Sequence, residues 1–241
     1  MTDQEHLRQA FFARIPKARP ASPIFQKLFE FFYQAHLAAK PGTKLLNIYS
    51  AKDFSGNREE VYREEFFKDT EYRGVDFWAD KFVIENEAPG AEHTLPFGDH
   101  QFDLLVTTKV IMEHISEPSK ALSEFHRVLK PGGEAFVIAP LVRRQHQAPY
   151  DYFRYTEYGL QYLFKKAGFQ DIQLTHTNGW AVTATSYAYF FQRGLGAPKW
   201  LEKCFDWIYY WIVEPLGFFL DKFDNGYGRD LTLYFLVRAK A

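Results

Sequence analysis

The sequence predicts an α/β fold in which a mostly parallel sheet is covered by helices on both faces. Short apolar runs bounded by turn residues, at 45–49, 102–106 and 135–139, have the length and composition of buried strands. They alternate with stretches of helical periodicity, the order that gives a parallel sheet. Residues 45–76 also contain one strand, helix, strand unit of the expected length.

The first forty residues read as helices. Ser22 followed by Pro23 is an N-cap and first-turn signal, after which Ile24, Phe25, Leu28, Phe31, Phe32 and Ala35 recur at helical spacing until Pro41-Gly42. The run 45–49 is the first strand, a loop passes through Ser55-Gly56-Asn57, and a helix over 59–67 leads to a second strand, 72–76, that ends in an acid. A weaker strand is expected within 82–91 and a stronger one at 102–106. A helix over 118–129, a turn at Lys130-Pro131-Gly132-Gly133 and a strand at 135–139 follow. Thr156 caps a helix that Gly168 closes, a strand lies near 169–175, and the last strand is expected at 231–237.

At 241 residues the chain suits one large domain. We divide it into N-terminal helices (1–42), core sheet and helices (43–177), a cap insertion (178–229) and a last strand (230–241). The 29 basic and 30 acidic side chains leave no cationic field to hold phosphates, which argues against nucleic acid as a partner. The lone cysteine, Cys204, cannot form an internal disulfide or a thiolate metal framework. With an N-terminus that lacks a cationic stretch leading into an apolar run, this predicts a cytoplasmic protein.

Several motifs in order carry a family resemblance: Leu95-Pro96-Phe97-Gly98-Asp99-His100-Gln101-Phe102-Asp103, then Glu113-His114-Ile115, then Arg127-Val128-Leu129-Lys130-Pro131-Gly132-Gly133. Over roughly 44–169 the chain resembles the class I S-adenosylmethionine-dependent methyltransferases. The segments 150–156 and 166–169 resemble a subgroup associated with bacterial surface-glycan and secondary-metabolite genes. The resemblance implies a Rossmann-like sheet of seven strands, mostly parallel with an antiparallel last strand, and S-adenosylmethionine across the carboxyl ends of the first strands. Ligands of open α/β sheets do lie where the strand order reverses.

Cofactor-binding candidates are Asn47, Tyr49, Ala51, Asp76, Glu92, Leu95 and Lys109. Asp76, at the end of the second strand, can accept hydrogen bonds from both ribose hydroxyls. Two departures stand out. Tyr49 and Ala51 occupy positions where the resemblance leads one to expect glycine, and Ala91 replaces the expected acid, with Glu92 beside it.

Methyl transfer relies on holding donor and acceptor in line and requires no metal or covalent intermediate. A hydroxyl acceptor needs a base, for which His114 and His146 are the candidates. Asp151, Tyr152 and Arg154 are candidates for binding a small-molecule or glycan-linked acceptor, with a structural network anchoring the following helix as the competing role. A catalytically inactive, methyltransferase-like binding protein is the alternative reading. A nicotinamide enzyme is disfavoured, because no G-x-G-x-x-G follows the first strand.

Aromatics make up 19% of the chain and crowd the segment 204–220. Asp206, Glu214 and Pro215 interrupt that segment before it reaches the ~20 apolar residues a bilayer span needs. Its expected uses are a lid over the acceptor pocket, a homodimer contact or an interfacial membrane helix. The scarcity of lysine there ranks the last below the others.

Overall fold

The computed structural model describes residues 1–14, 22–49, 59–77 and 94–241. Helices α1 (Asp3–Arg14) and α2 (Pro23–Ala38) precede strand β1 (Lys44–Tyr49). A short helix α3 (Glu59–Val61) continues as a π-helical turn (Tyr62–Phe66) into β2 (Glu71–Asp76). Then come β3 (Phe102–Thr107), a 3-10 turn (Met112–His114), α4 (Pro118–Val128), β4 (Leu129–Pro140), α5 (Glu157–Lys166) and β5 (Gln170–His176). The chain ends with α6 (Trp180–Gly194), α7 (Lys199–Ile208), a π-helical turn (Tyr209–Val213), α8 (Glu214–Leu220) and β6 (Tyr234–Lys240).

The strands form one sheet in the order β2-β1-β3-β4-β6-β5. β2, β1, β3 and β4 pair in parallel, and β6 runs antiparallel to both of its neighbours. The expected seven strands are therefore corrected to six among the described residues. The weaker strand expected within 82–91 lies outside them.

Alternation along each strand splits the core in two. Leu46 and Ile48 join Leu105, Val137 and Val237 beneath α4 and α5, whereas Leu45 joins Leu104, Val106, Phe136 and Ile138 beneath α1 and α2. Phe29, Phe32 and Phe66 wedge the second layer, and each is almost wholly buried. Because β1 lies between β2 and β3, the strand order reverses there, the place where ligands of open α/β sheets bind.

Three local expectations are refined. Ser22 stands at the N-cap of α2 with Pro23 behind it, but its side chain makes no capping hydrogen bond. The Lys130–Gly133 stretch is a bulge inside β4 rather than a turn between elements: the register against β3 jumps from Phe102↔Leu129 to Leu104↔Glu134, and Gly132 sits at φ +80°. The last strand begins at Tyr234, because Thr232 is drawn into a buried polar knot in which its Oγ1 accepts from the Thr177 and Asn178 amides.

The excursion between β5 and β6 is helical, with α6 and α8 packed together. Asp221 ties down its start by accepting from the amides of Gly179 and Ala181. Its large side chains face outward in quantity. Trp200, Trp207, Trp211 and Phe223 are each more than half exposed. No helix of the described residues is long and apolar enough to cross a membrane.

Tyr49 is accommodated by a glycine on the neighbouring strand. A Cβ on Gly74 would come within 2.9 Å of Tyr49 Cε1 and 3.5 Å of Cδ1, so the ring leans back across β2. Gly74→Ala should cost about 1–3 kcal/mol by overpacking. Urea unfolding will show this as a lower midpoint, and the same substitution made on a Tyr49→Ala background should cost much less. Equal costs on both backgrounds would mean that the two residues do not touch.

Candidate active site

Asp76 ends β2 opposite Tyr49 at the point where the strand order reverses, and it is buried. The residue after it, Phe77, is fully buried with its ring 6.5 Å from that of His114. Phe77 thus links the acid that ends β2 to a histidine that follows β3. Asn47, in the middle of this edge, is completely buried. Its Nδ2 donates to the Tyr72 hydroxyl at 2.6 Å, and its Oδ1 accepts from Thr108, which ties β1 to the strands on either side. Lys109 follows β3 and is buried as well.

Glu113 and His114 sit on the 3-10 turn after β3, anchored by buried Ile111, Met112 and Ile115. The loop after β4 folds onto this turn. Tyr152 N–H donates to the Glu113 carbonyl at 2.8 Å, and the Tyr155 hydroxyl donates to the Met112 carbonyl at 2.8 Å. His114 Nδ1 donates to the Tyr150 carbonyl at 2.5 Å, which fixes the neutral tautomer with its lone pair on Nε2. The same loop carries His146, whose ring meets that of His114 edge to face at 5.0 Å.

Glu113, His114 and His146 consequently form one cluster. Glu113 Oε1 lies 3.9 Å from His114 Nε2 and 3.6 Å from His146 Nε2. Burial raises the Glu113 carboxyl to about 7, against the opposing pull of Arg143 and Arg154. Burial also lowers both histidines, with Arg143 adding to the effect at His146. All three groups are thereby biased towards their neutral forms, which suits proton exchange near neutral pH.

Asp151 and Arg154 face each other rather than open space. The guanidinium grips the carboxylate at 2.6 and 2.8 Å and reaches the carbonyls of Arg143, Arg144 and Phe153. Asp151 also accepts from the His146 amide at 2.7 Å. The hydrogen bonds of this pair hold the loop that carries His146. Tyr152 is exposed beside them.

Leu95 is buried, and its amide donates to Glu124. Arg127 grips Glu124 and Asp99 and the carbonyl of Phe97, which fastens the 95–99 segment to α4. Ala51, Ala91 and Glu92 lie outside the described residues.

Glu113 received no role from the sequence, although it stands in a quoted motif. An acid beside a histidine just beyond a strand reads as a solvated turn residue, and only the fold reveals that it is buried and has His146 next to it. The adjacent Glu-His pair at a carboxyl strand end was the available signal.

The six-stranded sheet thus carries an acid at its switch point and a histidine cluster beyond β3 and β4. Residues 58–137 match the methyltransferase domain family. Ubiquinone/menaquinone biosynthesis C-methyltransferases UbiE from Cupriavidus metallidurans and Cupriavidus pinatubonensis are 31% and 33% identical to the chain, each match covering 46% of this chain and 49% of the relative. The chain thus spans about half the length of the curated relatives it matches. Phosphoethanolamine N-methyltransferase 2 of Haemonchus contortus, solved with S-adenosyl-L-methionine, is similar in fold at a TM-score of 0.50 and 14% identity. That likeness covers 100% of this chain and 60% of the other.

Proposed function

We propose that the protein transfers a methyl group from S-adenosylmethionine to oxygen on a small-molecule or glycan-linked acceptor. The observation that carries this reading is the juxtaposition of Asp76, at the switch point, with the Glu113/His114/His146 cluster, Phe77 lying between them. The described residues fit the nucleoside. In support, Asp76 is a buried carboxylate at the switch point, and the Tyr49 ring leans back over Gly74 instead of forward past the strand end.

When bound, S-adenosylmethionine supplies an electrophilic methyl group. Asp76 would hold its ribose, with buried Leu95 and Lys109 as further candidates to hold it, and the buried cluster keeps bulk water from one side of the reaction. His114 or His146 takes the acceptor's proton on Nε2 as the oxygen is methylated. Asp151 and Arg154 act by positioning His146, and exposed Tyr152 is left to meet the acceptor. The outward aromatic face of α7 and α8 is assigned to contact between copies of the chain, which analytical ultracentrifugation of a Trp207→Glu variant against the parent will test.

Calorimetry with S-adenosylmethionine tests the central claim. The expected outcome is a saturable heat and a higher unfolding temperature. The absence of both at millimolar donor would favour the binding-protein reading, for which Tyr49 in a glycine position is the supporting observation. Single-turnover rates of His114→Ala and His146→Ala on an identified acceptor then locate the base; rates equal to the parent for both would remove that role.

A further inference from the structure

We propose that Glu113, His114 and His146 form a binding site for a divalent transition-metal ion of the zinc type. The inference goes beyond the methyl-transfer reading and does not require it. One ligand atom from each side chain lies within 4.8 Å of those of the other two. Ligands around a tetrahedral ion at bond lengths of 2.0–2.1 Å are about 3.4 Å apart. The observed 3.6 and 3.9 Å separations therefore need only a small contraction.

The spacings are too long for direct hydrogen bonds between the three groups. Glu113 is 1% exposed, and its Oε2 is buried with no hydrogen-bond partner among the described residues. Folding does not leave a carboxylate oxygen dry and unpaired without cost, and an ion held by Oε1, the oxygen that faces both histidines, would offset the cost of burying this carboxylate.

The outer partners also match what metal-bound histidines require. His114 Nδ1 donates to the Tyr150 carbonyl and thereby turns Nε2 towards the cluster. His146 Nδ1 lies 3.3 Å from the Asp151 carboxylate, which Arg154 grips with two hydrogen bonds. A carbonyl and a carboxylate behind two histidines are the usual means of orienting such ligands.

Two cations face the cluster, Arg143 and Arg154. The charge of Arg154 is matched by Asp151, and Arg143 lies over the Tyr234 ring at 5.4 Å. Two histidines and one glutamate leave a fourth coordination position open, as in catalytic rather than structural zinc sites. His146, the more exposed of the pair, gives that position a route to solvent. In the metal-free protein the histidines are the bases of the proposed transfer. With the ion bound they become its ligands, and an oxygen of the acceptor can take the open position.

The test uses the full chain without a histidine tag, stripped with chelator and titrated with Co2+ and then Zn2+. One equivalent of Co2+ should bind, with visible bands of a four- or five-coordinate nitrogen and oxygen site and no thiolate charge-transfer band, which keeps Cys204 out of the account. Zn2+ should displace it. Glu113→Gln and His146→Ala should each weaken binding by about 100-fold or more, and Asp151→Asn by about 10- to 100-fold, as for outer partners generally. Absence of stoichiometric binding to the parent, or affinity unchanged in Glu113→Gln and His146→Ala, would overturn the site. Donor calorimetry on the metal-stripped chain is read separately, so failure of the metal site and failure of the methyltransferase reading leave different records.

Discussion

Replacing Asp76 by Ala will weaken S-adenosylmethionine binding by about 10- to 100-fold while leaving the fold intact. Hydrogen bonds to a charged acceptor contribute about 1.5–3 kcal/mol, and each 1.4 kcal/mol is a factor of ten in affinity. Asp76 is the last residue of β2, so removing its carboxylate takes nothing from the hydrogen-bonded middle of the sheet. Burial sharpens the effect, because a ribose hydroxyl that loses this partner at a buried position finds water less readily in its place. Calorimetry will measure the loss, and an unchanged urea midpoint will show that it is not a folding defect. Asp76→Asn, which keeps one acceptor oxygen, should fall between the two. Parent-like affinity in the Ala variant would remove Asp76 from the cofactor site.

What could be read in advance divides along physical lines. β1, β2, β3, α4 and α5 were legible because each is a short apolar run or an amphipathic stretch with its own stop signal. Thr156, for example, accepts from the Gly159 amide, and Gly168 takes φ +104°. The bulge at 130–133 was not legible, since the same Pro-Gly-Gly composition serves a turn or a bulge, and only pairing with β3 decides. The start of β6 was likewise set from a distance, by Thr177 and Asn178 across the sheet.

At the site, His114 and His146 could be singled out by residue type. Their meeting depends on bonds between residues 113–114 and 150–152 that no periodicity encodes. Burial changed the standing of Glu113 from a turn acid to the centre of the cluster. Asp151 and Arg154 were visible as a charged pair, but their partners were not, and those partners make them a clamp.

That clamp gives the second large effect, which Arg154→Leu will expose. The guanidinium donates five hydrogen bonds, two to the Asp151 carboxylate and three to the carbonyls of Arg143, Arg144 and Phe153. Leucine fills part of the volume and makes none of them. The Asp151 carboxyl, which Arg154 holds far below the ordinary carboxylate range, is left covered and facing only the His146 backbone and ring. Breaking a fully buried pair costs about 3–5 kcal/mol. This one lies near the surface, with a quarter of the Arg154 side chain exposed, so about 2 kcal/mol is expected at neutral pH.

Arg154→Lys should recover little, because an ammonium cannot span a carboxylate and three carbonyls at once. The double variant Arg154→Leu, Asp151→Leu should be more stable than Arg154→Leu alone, since it removes the stranded charge. Urea unfolding of the three proteins checks the order. If the single and double variants unfold together, the carboxylate was never dependent on Arg154, and the positioning role given to the pair falls. If the order holds, methyl transfer by Arg154→Leu should fall in kcat more than in KM, because the residue it displaces, His146, acts on the reacting proton rather than on substrate binding.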